Sequence, residues 1–270
     1  MHNAPLHVAG LVMGMANTVR HRRQGYVRPR PFSASDIERT LDHAFEVVDR
    51  WEAHGDIEWT DKRVLECGPG SDLTTGALTI ARGARSYGAV DFVDNRDQAP
   101  DSLYIELGKR LGRRVDADAL TFTRATFPNL DEVAGTYDLI VSNATLEHIE
   151  EMPSLFHSFA RLGSPSARMV HHVDAQTHMR WLKEVDPLNV LRYSDFIYNR
   201  LLRFPGAPNR LRASDYEQAA VQAGWRVVAT VPAILVRNEY VHRARLARRF
   251  REYDRLELLA FTLVADRLDT

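Results

Sequence analysis

A short apolar run that breaks into two glycines constrains this sequence more than any other feature. Residues 64–72 read VLECGPGSD, and a helical pattern follows them. Glycine lets the backbone turn sharply and approach a ligand closely, so a strand, a glycine turn and a helix in this order are typical of nucleotide-type binding sites. We therefore expect a ligand site at this turn, at the carboxyl end of a predicted strand.

Strand patterns and helical patterns alternate along most of the chain. Strands are predicted over residues 63–66, 86–91, 115–122, 137–142, 167–173, 225–231 and 258–265. An amphipathic helix capped by Ser33 or Ser35 precedes the first strand, and an arginine-rich helix over residues 240–253 precedes the last. This alternation predicts an α/β fold, in which a mostly parallel sheet is covered by helices on both faces.

A single α/β domain over residues 33–270, with a helical insertion at about residues 175–213, accounts for this order better than two independent domains. Residues 1–32 form an extension whose apolar stretch, residues 6–16, is shorter than the ~20 residues of a membrane span. The arginines follow that stretch instead of preceding it, which is the wrong order for a secretory signal. We expect the extension to dock on the surface as a lid.

Charge and cysteine content exclude several classes of protein. The chain carries 35 Lys and Arg against 36 Asp and Glu, so no general attraction to nucleic acid or to an anionic membrane is expected. Its single cysteine, Cys67, excludes an intramolecular disulfide and multi-cysteine zinc sites, and it fits a reducing compartment. We predict a cytoplasmic protein that binds no nucleic acid and spans no membrane. The sequence gives no signal for an oligomeric state.

The charges around the glycine turn favour a cationic ligand over a phosphate. A P-loop would need Lys and Ser or Thr after its last glycine, and a dinucleotide fingerprint would need glycine where Leu73 stands. Glu66 and Asp72 bracket the turn without any Lys or Arg between them, which disfavours a pyrophosphate. Asp91 ends the second strand, where a carboxylate can accept hydrogen bonds from ribose hydroxyls. A ribose joined to a positive charge describes S-adenosylmethionine.

The chain resembles the class I S-adenosylmethionine-dependent methyltransferases. The matching features are VLECGPG at residues 64–70, Asp91, and YDLIVSNATLEHIEEM at residues 137–152, together with an antiparallel last strand. The resemblance implies a Rossmann-like methyltransferase fold with a seven-stranded, mostly parallel sheet. It also implies S-adenosyl-L-methionine as the cofactor and transfer of its methyl group as the activity.

The resemblance further implies which residues hold the cofactor. They are Glu66, Gly68, Gly70, Asp72, Asp91, Phe92, Asp118, Ser142 and Asn143. Of these, Glu66 and the glycines would line the methionine end, Asp91 the ribose, and Ser142 and Asn143 the sulfonium. Asp118, or Asp116 in its place, is expected at the adenine. Asp72 departs from the family pattern, which often has a third glycine there, and its carboxylate is expected to face the methionine ammonium.

The predicted acceptor side is a run of titratable residues, HHVDAQTH, after the fifth strand. A hydroxyl acceptor must lose its proton as the methyl group moves, and a histidine oriented by a carboxylate is the usual base. His171, His172, Asp174 and His178 are therefore the predicted catalytic residues. Neighbouring residues of a strand point to opposite faces, so at most one of His171 and His172 faces the crevice, and the other is a core group. For His148 a structural role is favoured over that of a base.

The same run resembles an HxVDxxxH stretch of a subset of bacterial methyltransferases that act on small molecules or glycans. Residues 186–188, 191–195 and 209–212 also fit that subset. Asp174 with His171 or His178 offers carboxylate and imidazole ligands that suit several metals, but the ligand spacing is not recognisable, so no metal is predicted. The expected activity is O-methylation of a small molecule or sugar. The alternatives are other chemistry on the same cofactor, and a catalytically silent protein that binds a partner.

Overall fold

The computed structural model of this chain describes residues 4–24, 36–94, 96–115 and 119–268. Within these ranges, seven strands form one sheet in the order β3-β2-β1-β4-β5-β7-β6. The strands are β1 (Arg63–Cys67), β2 (Ser86–Asp91), β3 (Leu120–Arg124), β4 (Tyr137–Asn143), β5 (Gly163–Asp174), β6 (Trp225–Leu235) and β7 (Leu258–Arg267). β1 to β5 pair in parallel, whereas β7 lies antiparallel between β5 and β6. The predicted fold class is confirmed.

Helices cover both faces of this sheet. The helices are α1 (Ala4–Gln24), α2 (Ile37–Gly55), α3 (Thr74–Ala81), α4 (Asp101–Leu111), α5 (Met152–Leu162), α6 (Arg180–Val185), α7 (Asp195–Ile197), α8 (Ala213–Gln222) and α9 (Asn238–Arg243). Because side chains alternate along a strand, one face of the sheet packs against α2, α3 and α4, and the other against α5 and α8. In sheets of this kind the ligand crevice is expected at the carboxyl ends of the parallel strands.

α2 fixes one wall of that crevice. Its apolar positions recur every three or four residues, so Leu41, Val48 and Trp51 are fully buried against the sheet. The Trp51 indole Nε1 donates to the Ser142 carbonyl at 3.1 Å, which ties the helix to the last residues of β4. The helix begins at Ile37, where the Asp36 side chain accepts from the Arg39 amide. The predicted caps Ser33 and Ser35 lie outside the described residues.

Two helix predictions in the second half of the chain are wrong. The pattern at residues 190–204 breaks into a 3₁₀ turn, α7 and a π-helical turn, because the Ser194 hydroxyl accepts from the Ile197 amide and starts a new helix. The arginine-rich segment 240–253 holds only the end of α9 and a separate 3₁₀ turn at Arg248–Phe250. Short helices do fill the predicted insertion after β5.

The insertion is organised by a buried ion pair. The Asp186 carboxylate accepts from Arg192 Nε at 2.8 Å and from Nη2 at 2.7 Å, and both side chains are buried. The Tyr240 hydroxyl and the Asn189 amide donate to the same carboxylate, at 2.5 Å and 2.8 Å. A buried carboxylate with this many donors holds its segment in one conformation, because losing any partner leaves an uncompensated charge.

α1 lies on the insertion and not directly on the sheet. Its Leu6 and His7 carbonyls accept from Asn189 Nδ2 and the Tyr193 hydroxyl, at 3.0 Å and 2.8 Å. Gly10 faces the same two side chains so closely that a Cβ atom there would overlap them. α1 therefore docks through its backbone at a close approach. No helix in the described ranges combines the length and the apolar composition of a membrane span.

Candidate active site

The glycine turn after β1 leaves open space beside its backbone. Gly70 has φ +85°, a conformation that side chains rarely adopt, and an added Cβ would meet nothing within 4 Å. Residues 64–73 contain no Lys or Arg. The turn is therefore an open cradle that a ligand can approach closely, without the cations that a phosphate would need.

Thr145 connects this turn to the loop after β4. Its hydroxyl lies 3.3 Å from the Gly68 carbonyl and 3.2 Å from the Asn143 carbonyl. Gly68 has φ +70°, and a Cβ atom there would collide with the Thr145 side chain. The Gly68 amide donates to the Val90 carbonyl at 2.8 Å, which adds β2 to the same junction. The three strand ends are thus held against one another.

Asp91 lies at the end of β2 on the rim of the crevice. Its Oδ1 accepts from the Phe92 amide at 2.7 Å, and partial burial raises the pKa of the carboxyl to about 6. Phe92 follows with an exposed ring. A carboxylate held by its own backbone and reachable from the crevice can accept hydrogen bonds from a diol. Asp118 and Asp116, the predicted adenine contacts, lie outside the described residues.

Glu66 and Asp72 both make hydrogen bonds within the fold. Glu66 is buried, and its Oε2 accepts from the Thr75 and Tyr87 hydroxyls, each at 2.6 Å. Burial raises the pKa of this carboxyl to about 7. Asp72 accepts from the Thr74 amide at 3.1 Å, at the start of α3. Glu66 thus anchors the floor of the turn, while the half-buried Asp72 stays near its rim.

The two residues that end β4 point to opposite faces. The Ser142 hydroxyl is buried against His171 Nδ1 at 2.8 Å, so its side chain does not reach the crevice, contrary to the expected contact with the sulfonium. Asn143 is half-buried, and its Oδ1 accepts from Arg50 Nη1 at 3.0 Å. Asn143 therefore remains the side chain of this pair that lies nearest to solvent.

The predicted alternation of His171 and His172 is observed, and His171 is the core residue. Its ring is fully covered and stacks against Phe156 and Phe159, and burial lowers its pKa to about 3. It cannot contact an acceptor in this structure, which corrects the prediction of a catalytic role. His172 lies on the other face, 3.3 Å from the Thr262 hydroxyl, and burial lowers its pKa to about 4.

A cluster of titratable side chains lies on the segments that follow β4 and β5. His148 and His178, both solvent-accessible, meet edge to face with ring centroids 4.9 Å apart. One donor atom from each of these rings and one from Glu147 all lie within 4.8 Å of one another. The Asp174 carboxylate is paired with Lys183 at 2.5 Å. The backbone carbonyl of Asp174 lies 3.3 Å from His178 Nε2.

Glu147 is the member of this cluster that the sequence analysis missed. It is 1% exposed, and burial raises the pKa of its carboxyl to about 8. Among the described residues, neither of its carboxylate oxygens accepts a hydrogen bond of good geometry, although the backbone amides of Glu147 and Asp174 lie close enough to oppose the rise in pKa. The only signal in the sequence was its place directly before His148, in the loop after a buried strand. From the sequence, a carboxylate on such a loop is predicted to be exposed. Its burial here depends on residues that are distant in the chain.

Comparison with known proteins identifies the family. A family model described as a methyltransferase domain matches residues 33–230, which is most of the chain. The chain belongs to the methyltransferase domain family. The predictions of a methyltransferase enzyme and of S-adenosylmethionine as its cofactor are thereby confirmed at the level of the family.

Individual relatives are distant. Malonyl-[acyl-carrier protein] O-methyltransferase from Chlorobium phaeovibrioides (strain DSM 265 / 1930) is 32% identical over 99 residues, which cover 37% of this chain and only 35% of that protein. A chain from the complex of the Haloferax volcanii Trm112 methyltransferase activator with a methyltransferase aligns with a TM-score of 0.52 and 15% identity. That alignment covers 88% of this chain and 95% of the other.

Magnesium protoporphyrin IX methyltransferase from Synechocystis PCC 6803, solved with bound SAH, aligns with a TM-score of 0.50 and 16% identity. The alignment covers 92% of this chain and 91% of that one. Likeness at such identities shows the fold alone, so the roles of particular residues are argued from this chain's own geometry.

The buried carboxyl of Glu66 predicts a measurable effect of pH on stability. Its pKa is about 7 in the folded chain against 4.5 for an exposed glutamate, so the folded state retains a proton that the unfolded state releases between these values. Glu66 therefore makes the free energy of unfolding fall as the pH rises from about 4.5 to about 7. Compared with Glu66→Gln, the wild type should lose on the order of 3 kcal/mol across this window.

Urea unfolding of both proteins at several pH values measures this difference. Glu132→Gln, which changes an exposed carboxylate, should parallel the wild type throughout. A constant difference between Glu66→Gln and the wild type from pH 4.5 to 8 would show that Glu66 is not desolvated.

Proposed function

We propose that this methyltransferase transfers the methyl group of S-adenosylmethionine to an oxygen atom of a small molecule or sugar. The observation that carries the proposal is the open cradle at Gly70, with the half-buried carboxylate of Asp91 at the end of the neighbouring strand β2. These features fit a ligand with a ribose and a positive charge. S-adenosylmethionine, when bound, supplies a methyl group on a positively charged sulfur that a nucleophilic oxygen can displace.

In this proposal each wall of the crevice has its own task. Gly68 and Gly70 let the methionine portion approach the backbone, and Asp91 accepts hydrogen bonds from the ribose hydroxyls. Phe92 presents an exposed ring beside Asp91 for apolar contact with the nucleoside. Asn143, fixed by Arg50, would lie next to the sulfonium. Most of the rate enhancement is expected from holding the reacting atoms in line.

The acceptor is expected beside His148 and His178, where its hydroxyl loses a proton. Both rings are accessible at the ends of β4 and β5, whereas His171 is enclosed by aromatic rings. Of the four side chains that the sequence analysis assigned to catalysis, we retain His178, with the Asp174 carbonyl as the group that orients its ring. Oxygen as the acceptor atom is also supported by a partial relative that is named an O-methyltransferase.

Replacing His178 with alanine tests the acceptor side. Turnover should fall by about 10²-fold, while the affinity for S-adenosylmethionine stays unchanged, because the ring acts on the acceptor alone. The assay measures release of S-adenosylhomocysteine with a panel of small hydroxyl compounds and sugars. His157→Ala, an exposed histidine on α5, is the matched control and should behave as the wild type.

Two outcomes would contradict the proposal. Full turnover in His178→Ala would remove the ring from the chemistry. Tight cofactor binding without any release of S-adenosylhomocysteine across the panel would favour the alternatives, which are other chemistry on the same fold or a silent protein that binds a partner.

We also propose that α1 acts with the insertion as a cover over the bound acceptor, which excludes water during transfer. Gly10→Leu would force α1 off Asn189 and Tyr193 without touching the sheet, and should lower turnover by about 10–100-fold. Val12→Ala, on the exposed side of the same helix, should have no effect. If Gly10→Leu keeps wild-type turnover with α1 displaced, as judged by proteolysis of the N-terminal segment, the cover is dispensable.

A further inference from the structure

The cluster of Glu147, His148 and His178 has the donor set of a metal site. Glu147 and His148 lie on the short turn after β4, and His178 follows β5, so the two neighbouring strands bring the three side chains together. One carboxylate oxygen and one nitrogen of each ring all lie within 4.8 Å of one another. Donors bound to one ion at about 2.0–2.2 Å lie roughly 3–4 Å apart, so small side-chain rotations would close the cage.

The Glu147 carboxylate provides an independent observation at the same place. It is 1% exposed, and within the described residues neither oxygen accepts a hydrogen bond of good geometry, although the backbone amides of Glu147 and Asp174 lie nearby. The neighbouring cation Lys183 is bound to Asp174, and Glu147 forms no ion pair in the part of the chain that the structure describes. Buried polar groups without partners are rare in folded proteins, and a bound ion is one of their established explanations.

The surroundings of the two rings fit ligation. The Asp174 carbonyl can only accept, so His178 Nε2 carries the proton in its 3.3 Å contact, and Nδ1 keeps a free lone pair. The His148 ring lies near the backbone of Gly206 and Ala207. Histidines that bind metals commonly donate their second ring nitrogen to a carbonyl or carboxylate, which fixes the ring's orientation.

The chemistry of the donors selects the kind of ion. Two imidazoles and one carboxylate suit Zn²⁺, Mn²⁺ or Fe²⁺, whereas Mg²⁺ and Ca²⁺ prefer oxygen ligands alone. Both rings are solvent-accessible, so a side of the cage stays open for water or for an acceptor oxygen. Three protein ligands with an open position are typical of catalytic rather than structural metal sites.

We propose that Glu147, His148 and His178 bind one divalent transition-metal ion at the acceptor end of the crevice. This departs from the sequence analysis, which predicted no metal and weighed Asp174 with His171 or His178 as ligands. The role of the ion rests on the proposed function, whereas its binding rests on the cluster alone. A divalent ion there would lower the pKa of an acceptor hydroxyl. Because a metal-bound imidazole cannot also take up the proton, His178 then acts by holding the ion, and the hydroxyl releases its proton to solvent before the oxygen attacks the methyl carbon.

Metal binding is tested without any methyl acceptor. The full chain, purified without a histidine tag and stripped with a chelator, is titrated with ZnCl₂ by calorimetry and with CoCl₂ by visible absorption. The wild type should bind one ion per chain, with the cobalt spectrum of a nitrogen- and oxygen-ligated site. His148→Ala, His178→Ala and Glu147→Gln should each weaken binding by at least about 100-fold. An excess of MgCl₂ should not displace Zn²⁺.

His157→Ala is the matched control, because this exposed histidine lies outside the cluster and reports adventitious binding to surface imidazoles. Circular dichroism identifies any variant that fails to fold. If Glu147→Gln does not fold, His148→Ala and His178→Ala still test the site, because both histidines are accessible. Wild-type protein that takes up no Zn²⁺ or Co²⁺, or affinity that survives in both histidine variants, would overturn the proposal.

The outcomes also separate the metal site from the proposed function. If the chelated protein releases S-adenosylhomocysteine at the full rate, the role assigned to the ion is wrong and the methyl transfer stands. If the metal binds as expected and no hydroxyl acceptor is methylated, the site stands and the proposed function is wrong.

Discussion

The parallel pairing of β1 with β4 is the constraint on which the rest of the site depends. In this pairing Cys67 lies opposite Ser142, so Gly68, just after β1, and Asn143, the last residue of β4, lie side by side. β1 also pairs with β2 on its other side, and the order of strands reverses at this point. Open α/β sheets bind their ligands in the crevice at such a reversal. The position of the crevice is therefore set by backbone pairing, before any polar side chain contributes.

The faces of the sheet then decide which polar groups can react. β4 ends in Ser142 and Asn143, which lie opposite His171 and His172 of β5, and on each strand one of the two side chains turns into the core. The Ser142 hydroxyl and His171 Nδ1 lie 2.8 Å apart there, and Asn143 and His172 lie on the opposite face. The accessible groups at the acceptor end, His148 and His178, come from the loops beyond the strands. Side chains on a loop do not have to alternate between the two faces of the sheet.

Buried carboxylates at the site fall into two kinds. Glu66 receives two hydroxyl donors and Asp186 in the insertion receives a guanidinium, so both charges have partners supplied by the fold. Glu147 is buried to the same degree without such partners. This contrast separates groups that stabilise the fold from a group that is available to a ligand, and it could only be drawn from the structure.

The sequence predicted the features that depend on local patterns. The strands, the glycine turn and Asp91 at the end of β2 were identified because period-two apolar runs and glycine leave clear signals. The break within residues 190–204 was missed, because the Ser194 cap overrides a helical pattern. The end of α9 at Arg243, within the predicted helix 240–253, leaves no such signal in the sequence. Which of His171 and His172 faces the core, and the burial of Glu147, depend on packing between residues far apart in the chain.

The most direct test of this account is the affinity for S-adenosylmethionine of the wild type and of Asp91→Ala, measured by calorimetry. Losing the hydrogen bonds to a charged group should weaken binding by about 1.5–3 kcal/mol. Asp131→Ala, which removes an exposed carboxylate paired with Arg161 at the far end of α5, should leave the affinity unchanged. Equal affinities for the wild type and Asp91→Ala, or tighter binding of NAD than of S-adenosylmethionine, would contradict the assignment of the crevice.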